Sequence, residues 1–282
     1  MRVLRGAGRI LQAWWGRLLT LVVALHYRGR PAPLGSLLAA RRFAFGVDPL
    51  VPATRVTRGR DLPDLALAAL FPDAELGWWS LGQETLSWLA ARVIASKPTR
   101  VLEFGSGVST VVLAKAMREL HPEGRALVVS IEQSMAHAAD TNVRLRRADL
   151  QTAAHVVVAP LVSLNVQGWD TTCYDIASVV GDLGVQPFDL VVVDGPFGPP
   201  RCRFATLPLT AALLTDSAEV VMDDALRDAE LWIAAEWSRM NLVQVAGVLI
   251  LEKGLLLGRV RRSQPIGAVK RPEIRVGSPV LD

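Results

Sequence analysis

Short runs of apolar residues recur at intervals along the central part of the chain. Each run has three to five residues, mainly Val, Leu and Ile. Because such runs suit strands that are buried on both faces, they predict a parallel sheet covered by helices. The predicted strands are Val101–Phe104, Leu127–Ile131, His155–Ala159, Leu190–Val193, Val220–Met222, Val243–Ala246 and Val248–Glu252.

Longer segments with apolar residues at helical spacing lie between these strands. The predicted helices are one between Leu81 and Pro98, and then Thr110–Leu120, Met135–Leu150, Leu207–Leu214 and Ala225–Arg239. Only Gly247 separates the last two strands, which predicts an antiparallel hairpin at one edge of the sheet. The pattern therefore predicts an α/β fold with a Rossmann-like, doubly wound, mostly parallel seven-stranded sheet and an antiparallel edge hairpin.

The two ends of the chain do not follow this alternation. Residues 1–64 are predicted to form a basic N-terminal arm and linker, a helical and irregular extension rich in Pro, Gly and Arg. Residues 65–260 form the predicted α/β domain. Residues 261–282 form a predicted extended tail, because they contain Pro and Gly without hydrophobic periodicity.

The positive charge of the chain is concentrated in the arm. The net charge is +4, yet residues 1–47 contain eight arginines and no acidic residue, so the remainder is acidic. A nucleic-acid partner is therefore not expected for the domain. Two cysteines, Cys173 and Cys202, have neither disulfide nor metal-ligand spacing, which fits a reducing compartment and predicts a cytoplasmic protein.

Residues 10–27 of the arm are largely apolar, and Gln12 and Arg17 interrupt this stretch. Arg17 would cost about 2.5–3.5 kcal/mol at the centre of a bilayer, so a helix at the membrane interface is expected rather than a span. Trp14 and Trp15 would then lie among the lipid headgroups, at the inner face of the membrane. A helix packed on the domain or on a partner subunit, as in a homodimer, is the alternative.

Two glycines follow the first predicted strand, in the sequence Glu103-Phe104-Gly105-Ser106-Gly107-Val108-Ser109-Thr110. A strand, a glycine loop and a helix in this order let backbone amides approach a ligand closely, because Gly has no Cβ. A dinucleotide site has a third glycine where Thr110 stands. Glu103, just before the loop, suits a ligand that carries positive charge.

This stretch resembles the first motif of the class I S-adenosylmethionine (SAM)-dependent methyltransferases, in a bacterial branch that reads E-F/L-G-S-G-x-S-T. The resemblance covers roughly Trp78 to Gly258. It implies SAM as cofactor, with Glu103 facing the methionine amine. The rest of the implied cofactor loop is Gly105, Ser106, Gly107, Ser109 and Thr110.

Glu132 ends the second predicted strand, beside the glycine loop. A carboxylate at this place can accept hydrogen bonds from both ribose hydroxyls of a nucleoside. Glu132 is therefore expected to bind the cofactor, together with the adjacent Gln133. Both nicotinamide and SAM cofactors contain ribose, so Glu132 does not distinguish between them.

Three aspartates follow two neighbouring strands. Asp194 ends the fourth predicted strand, and Asp223 and Asp224 end the fifth, so the three should meet at one edge of the sheet. Close carboxylates repel one another unless a cation or protons compensate, and Mg²⁺ is a natural candidate. Without metal, Asp194 is expected to act as a general base or cofactor contact, and Asp224 to cap a helix beginning at Ala225.

The acidic positions look like those of the catechol O-methyltransferase type, in which they hold Mg²⁺ against a substrate hydroxyl. This chain departs from that group in two places: Asp224 stands where an amide is usual, and Phe197 where the lysine base is usual. The order of Asp194-Gly195-Pro196, Asp223-Asp224-Ala225-Leu226-Arg227 and Glu252-Lys253-Gly254 also resembles a looser bacterial group, mostly uncharacterised.

These resemblances imply methyl transfer from SAM to a hydroxyl of a small molecule, a sugar or a glycan. The expected catalytic residues are Asp194, Asp223 and Arg201, the last in a loop that forms a wall of the acceptor pocket. One alternative is an NAD(P)-dependent oxidoreductase on a Rossmann fold, which the absence of a Tyr-x-x-x-Lys or histidine catalytic pair disfavours. A second alternative is a non-catalytic, membrane-associated nucleotide-binding protein.

Overall fold

Seven strands form one sheet in the computed structural model, which describes residues 80–124, 127–251 and 253–261, together with residues 22, 26 and 31–33. Nearly all of the predicted arm and linker, and the tail after residue 261, lie outside the described residues. The predicted domain boundaries and the interfacial helix at 10–27 therefore stay predictions. Within the described ranges, no helix is both long and apolar enough to cross a bilayer.

The sheet has a parallel part and an antiparallel edge. Its strands are β1 Arg100–Phe104, β2 Leu127–Glu132, β3 Ala154–Val158, β6 Phe188–Val193, β7 Leu214–Met222, β8 Val243–Leu249 and β9 Leu255–Val260. They lie in the order β3-β2-β1-β6-β7-β9-β8. The first five are parallel, and β9 pairs antiparallel with both β7 and β8. The predicted fold class is confirmed.

Helices cover both faces of the sheet. They are α1 Gln83–Ser96, α2 Val108–Leu120, α3 Met135–Arg147, α4 Ile176–Val179, α5 Thr206–Thr210 and α6 Asp228–Arg239, with 3₁₀-helices at Cys202–Ala205 and Ala211–Leu213. Along β6, Leu190 and Val192 pack on the side of α1 and α2, whereas Val191 and Val193 pack on the side of α6. This double burial is why the strand sequences are continuously apolar.

The prediction of a turn at Gly247 is wrong. Residues Val243–Leu249 form a single strand, and the turn to β9 lies around Gly254. Gly247 instead forms a bulge, where the pairing with β9 shifts by one residue. On its other side the strand pairs with Ala32, through two hydrogen bonds of 2.7 Å with Val248. A Cβ at residue 247 would overlap the carbonyl oxygen of Ala32, so Gly is needed for close backbone approach rather than for a turn.

A second, two-stranded sheet was not predicted. It is a hairpin of β4 Leu161–Val166 and β5 Trp169–Tyr174. Its turn residues Gln167 and Gly168 both have positive φ (55° and 85°), which matches the twist of a tight hairpin. Its strands escaped prediction because exposed polar residues interrupt their apolar pattern.

The bulge at Gly247 leads to a stability prediction. Gly247→Ala should lower the free energy of unfolding by about 1–3 kcal/mol, because the new methyl group must displace the Ala32 backbone from the edge strand. Gly181→Ala is the matched control, since a Cβ there meets no atom within 4 Å. Urea unfolding of both variants measures the difference, and equal stabilities would contradict the steric role of Gly247.

Candidate active site

The loops that follow β1 and β6 meet backbone to backbone. The carbonyl oxygen of Phe104 accepts hydrogen bonds from the backbone N–H groups of Asp194 (2.9 Å) and Gly195 (2.6 Å). A Cβ on Gly195 would lie 2.9 Å from the nitrogen of Gly105 and would overlap the hydroxyl oxygen of Tyr174. Both loops therefore need glycine at this contact, which fixes the glycine loop against the loop that begins at Asp194.

Glu103 is fully buried beneath the glycine loop. Its Oε2 accepts a hydrogen bond of 2.6 Å from the Thr110 hydroxyl, whose oxygen accepts one of 3.0 Å from the backbone of Gly107. Within the described part of the chain, Oε1 has no hydrogen-bond partner. Burial raises the pKa of the Glu103 carboxyl to about 7, and nearby hydroxyls only partly oppose this rise.

A buried carboxylate oxygen without a donor is unfavourable, and a bound ammonium group would satisfy it. The loop also has space on its open side, since a Cβ on Gly107 would meet no atom within 4 Å. The described residues therefore fit a cofactor that places a cationic group at Glu103 and a chain along Gly105–Gly107. An amino-acid amine on a nucleoside, as in SAM, has this chemistry.

Glu132 holds the glycine loop in place. Its Oε2 accepts hydrogen bonds from the backbone and the hydroxyl of Ser106, at 2.9 and 3.0 Å, and its Oε1 accepts one of 2.9 Å from the backbone of Ser134. An ionised carboxylate has about four acceptor positions, so the three contacts leave room for a further donor such as a ribose hydroxyl. Glu132 thus has a loop-ordering role that the sequence did not reveal.

Gln133 links the loops after β2 and β6. Its side-chain amide donates to the carbonyl oxygen of Phe197 at 3.0 Å and accepts from the backbone nitrogen of Phe197 at 2.9 Å. Gln133, which is predicted to contact the cofactor, thus holds the loop after Asp194 through two hydrogen bonds. Phe197 itself is 66% exposed.

The three predicted acids come together at one edge of the sheet. In the parallel pairing of β6 with β7, Val193 is opposite Met222, so Asp194 and the Asp223–Asp224 pair leave the sheet side by side. One carboxylate oxygen from each aspartate lies within 4.8 Å of the others. Burial raises the pKa of Asp194 to about 7 and that of Asp223 well above its usual value.

Arg203 lies among these carboxylates, whereas the sequence predicts it only as a neighbour of Arg201 in the loop that forms a wall of the acceptor pocket. Its Nη2 donates to Asp224 at 3.0 Å and to Asp194 at 3.4 Å, and its Nη1 donates to the carbonyl oxygen of Asp223 at 3.1 Å. Burial alone would lower the pKa of the guanidinium, but the carboxylates, Asp194 first, outweigh burial and raise it. The side chain is only 8% exposed.

A second cation comes from the turn between β8 and β9. The Nζ of Lys253 lies 3.7 Å from Asp223 Oδ2 and donates to the carbonyl oxygen of Ser80 at 2.9 Å. Neither carboxylate oxygen of Asp223 has a hydrogen-bond partner among the described residues. The catechol O-methyltransferase type has a lysine at the position of Phe197. In this chain the lysine near the acidic cluster is Lys253, which comes from the turn between β8 and β9.

Arg201 remains a predicted catalytic residue, and its guanidinium carbon lies 4.2 Å from the ring centroid of Trp232. One expectation about this region, that for Asp224, needs correction. Asp224 does not cap the following helix, since α6 begins at Asp228 with Arg227 as its N-cap. Instead, Asp224 Oδ2 pairs with Arg203 and with Arg227, the latter at 2.9 Å.

Comparisons with known proteins agree with this geometry. Residues 102–225 match the family described as Methyltransferase domain, a span that begins in β1 and ends just after Asp224. Among curated proteins, none matches the chain.

Solved structures share the fold at low sequence identity. The SAH-bound Podospora anserina methyltransferase PaMTH1 is 16% identical, with a TM-score of 0.53 over 70% of this chain and 88% of that one. The O-methyltransferase TomG from Streptomyces achromogenes, in complex with SAM, is 20% identical, with a TM-score of 0.51 over 70% and 90%. An O-methyltransferase from Bacillus cereus with SAH is 17% identical, with a TM-score of 0.52 over 76% and 97%.

The TM-scores show a shared fold, and the family match covers the part of the site from Glu103 to Asp224. The match to a methyltransferase domain thus takes in the Glu103 glycine loop and the three aspartates, and the sheet has the seven-stranded, mostly parallel arrangement that the sequence predicts.

Proposed function

We propose that this protein is an O-methyltransferase that moves the methyl group of SAM to a hydroxyl of a small molecule, a sugar or a glycan. One juxtaposition carries the proposal. On strand β1, buried Glu103 has an oxygen without a hydrogen-bond donor among the described residues, and directly after the neighbouring strand β6 burial raises the pKa of Asp194 to about 7. A carboxylate for a cationic cofactor and a carboxylate able to accept a proton at neutral pH thus lie at the same edge.

The cofactor would be held by the first two loops. Glu103 would accept hydrogen bonds from the methionine amine, and Gly105–Gly107 would lie along its chain. Thr110 donates a hydrogen bond to Glu103, and the nearby Ser109 hydroxyl favours the charged form of this carboxyl. Glu132 would offer its remaining acceptor position to the ribose, next to Gln133. When bound, SAM supplies a methyl group on a sulfonium that is already a strong electrophile.

The protein's remaining task is to position the acceptor and remove its proton. Asp194 is the proposed base, because its pKa of about 7 lies near the operating pH. Asp223 would accept a hydrogen bond from the acceptor, since its own oxygens lack donors among the described residues. Arg201, stacked on Trp232, would contribute to the wall of the acceptor pocket.

The charges at the site also separate this proposal from its rivals. A nicotinamide dinucleotide would bring pyrophosphate toward the loop above Glu103, where a buried carboxylate disfavours it. A purely binding role would not require a buried carboxyl of raised pKa at the sheet edge. Titration calorimetry with SAM and with NAD⁺ tests the cofactor, and transfer of tritiated methyl groups to a panel of hydroxylated acceptors tests the reaction.

The first prediction concerns Glu132. Glu132→Ala should weaken SAM binding more than about tenfold, because a charged acceptor for the ribose and the anchor of Ser106 are both lost, about 1.5–3 kcal/mol. Calorimetry measures the affinity. Ser106→Ala removes only the hydroxyl contact to Glu132 and keeps the carboxylate. Its effect on affinity therefore shows how much of the loss in Glu132→Ala comes from the loop rather than from the ribose contact. Asp140→Ala removes a surface charge from α3 and should leave the affinity unchanged. An unaltered affinity in Glu132→Ala would place this residue outside the cofactor site.

The second prediction concerns the pH dependence of stability without cofactor. The pKa of Glu103 is about 7 when folded, against an ordinary value of 4.5, so the folded state holds this proton more tightly than the unfolded state. Stability from this group is therefore present at low pH and decreases as the pH rises from about 4.5 to about 7, by about 3 kcal/mol. Glu103→Gln should remove this part of the decrease and should also weaken SAM binding.

Urea unfolding between pH 5 and pH 8 measures this dependence in the absence of SAM. The control is Glu119→Gln on α2, whose side chain is 57% exposed. It should leave the pH dependence as in the wild type. If Glu103→Gln and Glu119→Gln both show the wild-type pH dependence of the free energy of unfolding, the prediction for Glu103 is wrong.

The third prediction concerns the arm, for which we propose the surface of an anionic membrane as partner. The support is its sequence: eight arginines without an acid in residues 1–47, and paired tryptophans within an apolar stretch. The intact chain should sediment with phosphatidylserine-containing vesicles and dissociate at high salt. A variant with Arg2, Arg5 and Arg9 changed to Gln should sediment less. The proposal is wrong if the intact chain does not sediment with vesicles and forms a dimer that is lost when the chain begins at Asp64. The arm would then be an oligomerisation element.

A further inference from the structure

The acidic cluster is the place where the resemblance to the catechol O-methyltransferase type implies Mg²⁺. Three aspartates with oxygens within 4.8 Å of one another offer the donor type that Mg²⁺ prefers. Whether the site fits a divalent ion depends on which charges already compensate these carboxylates. The described residues give a definite answer.

Arg203 directs both ends of its guanidinium at the cluster. One nitrogen binds Asp194 and Asp224, and the other binds the carbonyl oxygen of Asp223. The side chain is 8% exposed, so water screens its charge poorly. Because a guanidinium does not lose its proton in proteins, this positive charge is permanent.

Even with all four carboxyls ionised, the charges around the cluster are nearly balanced without a metal ion. The ion pairs of the described residues join four carboxylates to three cations: Asp194, Asp223, Asp224 and Glu230 to Arg203, Arg227 and Lys253. A divalent ion would give this group an excess of positive charge. Two of the three aspartates that it would bind already accept hydrogen bonds from Arg203.

The residues at this edge therefore do not fit Mg²⁺ while Arg203 is in place. We propose that Arg203 is the resident cation of the site and takes the place of the divalent ion. It orients Asp194 and Asp224 at the sheet edge and makes the protein independent of divalent metal. Arg203 is a positioning residue in this role, since it acts through Asp194. Only the consequence for methyl transfer rests on the proposed function, because the competition between Arg203 and a metal ion does not depend on it.

The test uses the full chain and Mn²⁺ as the probe, with free ion measured by electron paramagnetic resonance. The wild-type protein should bind no Mn²⁺ at the cluster. Arg203→Met should create one Mn²⁺ site per chain, at least about tenfold tighter than any wild-type binding, because three carboxylates lose their shared cation. Arg203→Lys keeps the charge and should gain no such site.

Two controls locate the gained site. Adding Asp223→Asn to Arg203→Met should abolish it, since one ligand is lost. Arg239→Met removes an arginine that is 64% exposed on α6, and it should behave as the wild type. SAM titration of each variant shows whether the cofactor site is intact, so failure of the proposed function would appear as absent SAM binding in the wild type.

Two results would overturn the inference. One is wild-type Mn²⁺ binding that Asp223→Asn removes, and the other is a folded Arg203→Met protein without any gain in Mn²⁺ binding. If Arg203→Met does not fold, the wild-type measurement with Asp223→Asn still decides. Once an acceptor is found, methyl transfer by the wild type should keep its full rate in chelator, and loss of activity that Mg²⁺ restores would also overturn the proposal.

Discussion

The carbonyl oxygen of Phe104 organises the site, because it accepts hydrogen bonds from the backbone of both Asp194 and Gly195. This contact joins the carboxyl ends of the parallel strands β1 and β6. Successive strands are added on one side of β1 up to β3 and on its other side from β6 onward. The glycine loop and the Asp194 loop can approach so closely only because residues 105 and 195 lack a Cβ. Glu103 below one loop and Asp194 at the start of the other are then held at a fixed separation by backbone atoms.

Buried charge is the second constraint on this edge of the sheet. Asp194, Asp223 and Asp224 would repel one another in a region of low dielectric, and Arg203 supplies the opposing charge from the 3₁₀-helix that follows the Asp194 loop. Removing one partner of such a network usually costs more than the network contributes, because the remaining charges stay buried. The network fixes the orientation of Asp194, which is the base in the proposed reaction.

Glu103 is also a buried carboxylate, but no cation compensates its charge among the described residues. Its carboxyl is fully buried next to hydroxyl groups but without a paired cation among the described residues, so burial raises its pKa to about 7. Arg203 and its partners compensate one another's charges, whereas one oxygen of Glu103 has no hydrogen-bond donor in the described part of the chain and can accept one from a ligand. This difference separates carboxylates whose charge the protein itself compensates from one that is available to a cationic ligand.

The sequence by itself determined the sheet, the glycine loop and the edge at which the acids meet. Those features depend on local properties: continuous apolar runs for doubly buried strands, glycine where Cβ cannot fit, and acids directly after parallel strands. Only the tertiary structure decided that Arg203 rather than Arg201 enters the cluster, that Lys253 reaches Asp223, and that Gly247 is a bulge beside Ala32. These contacts join residues that are distant in sequence, or select one of two similar neighbours, and no local pattern encodes which side chain will face a charge brought there by the fold.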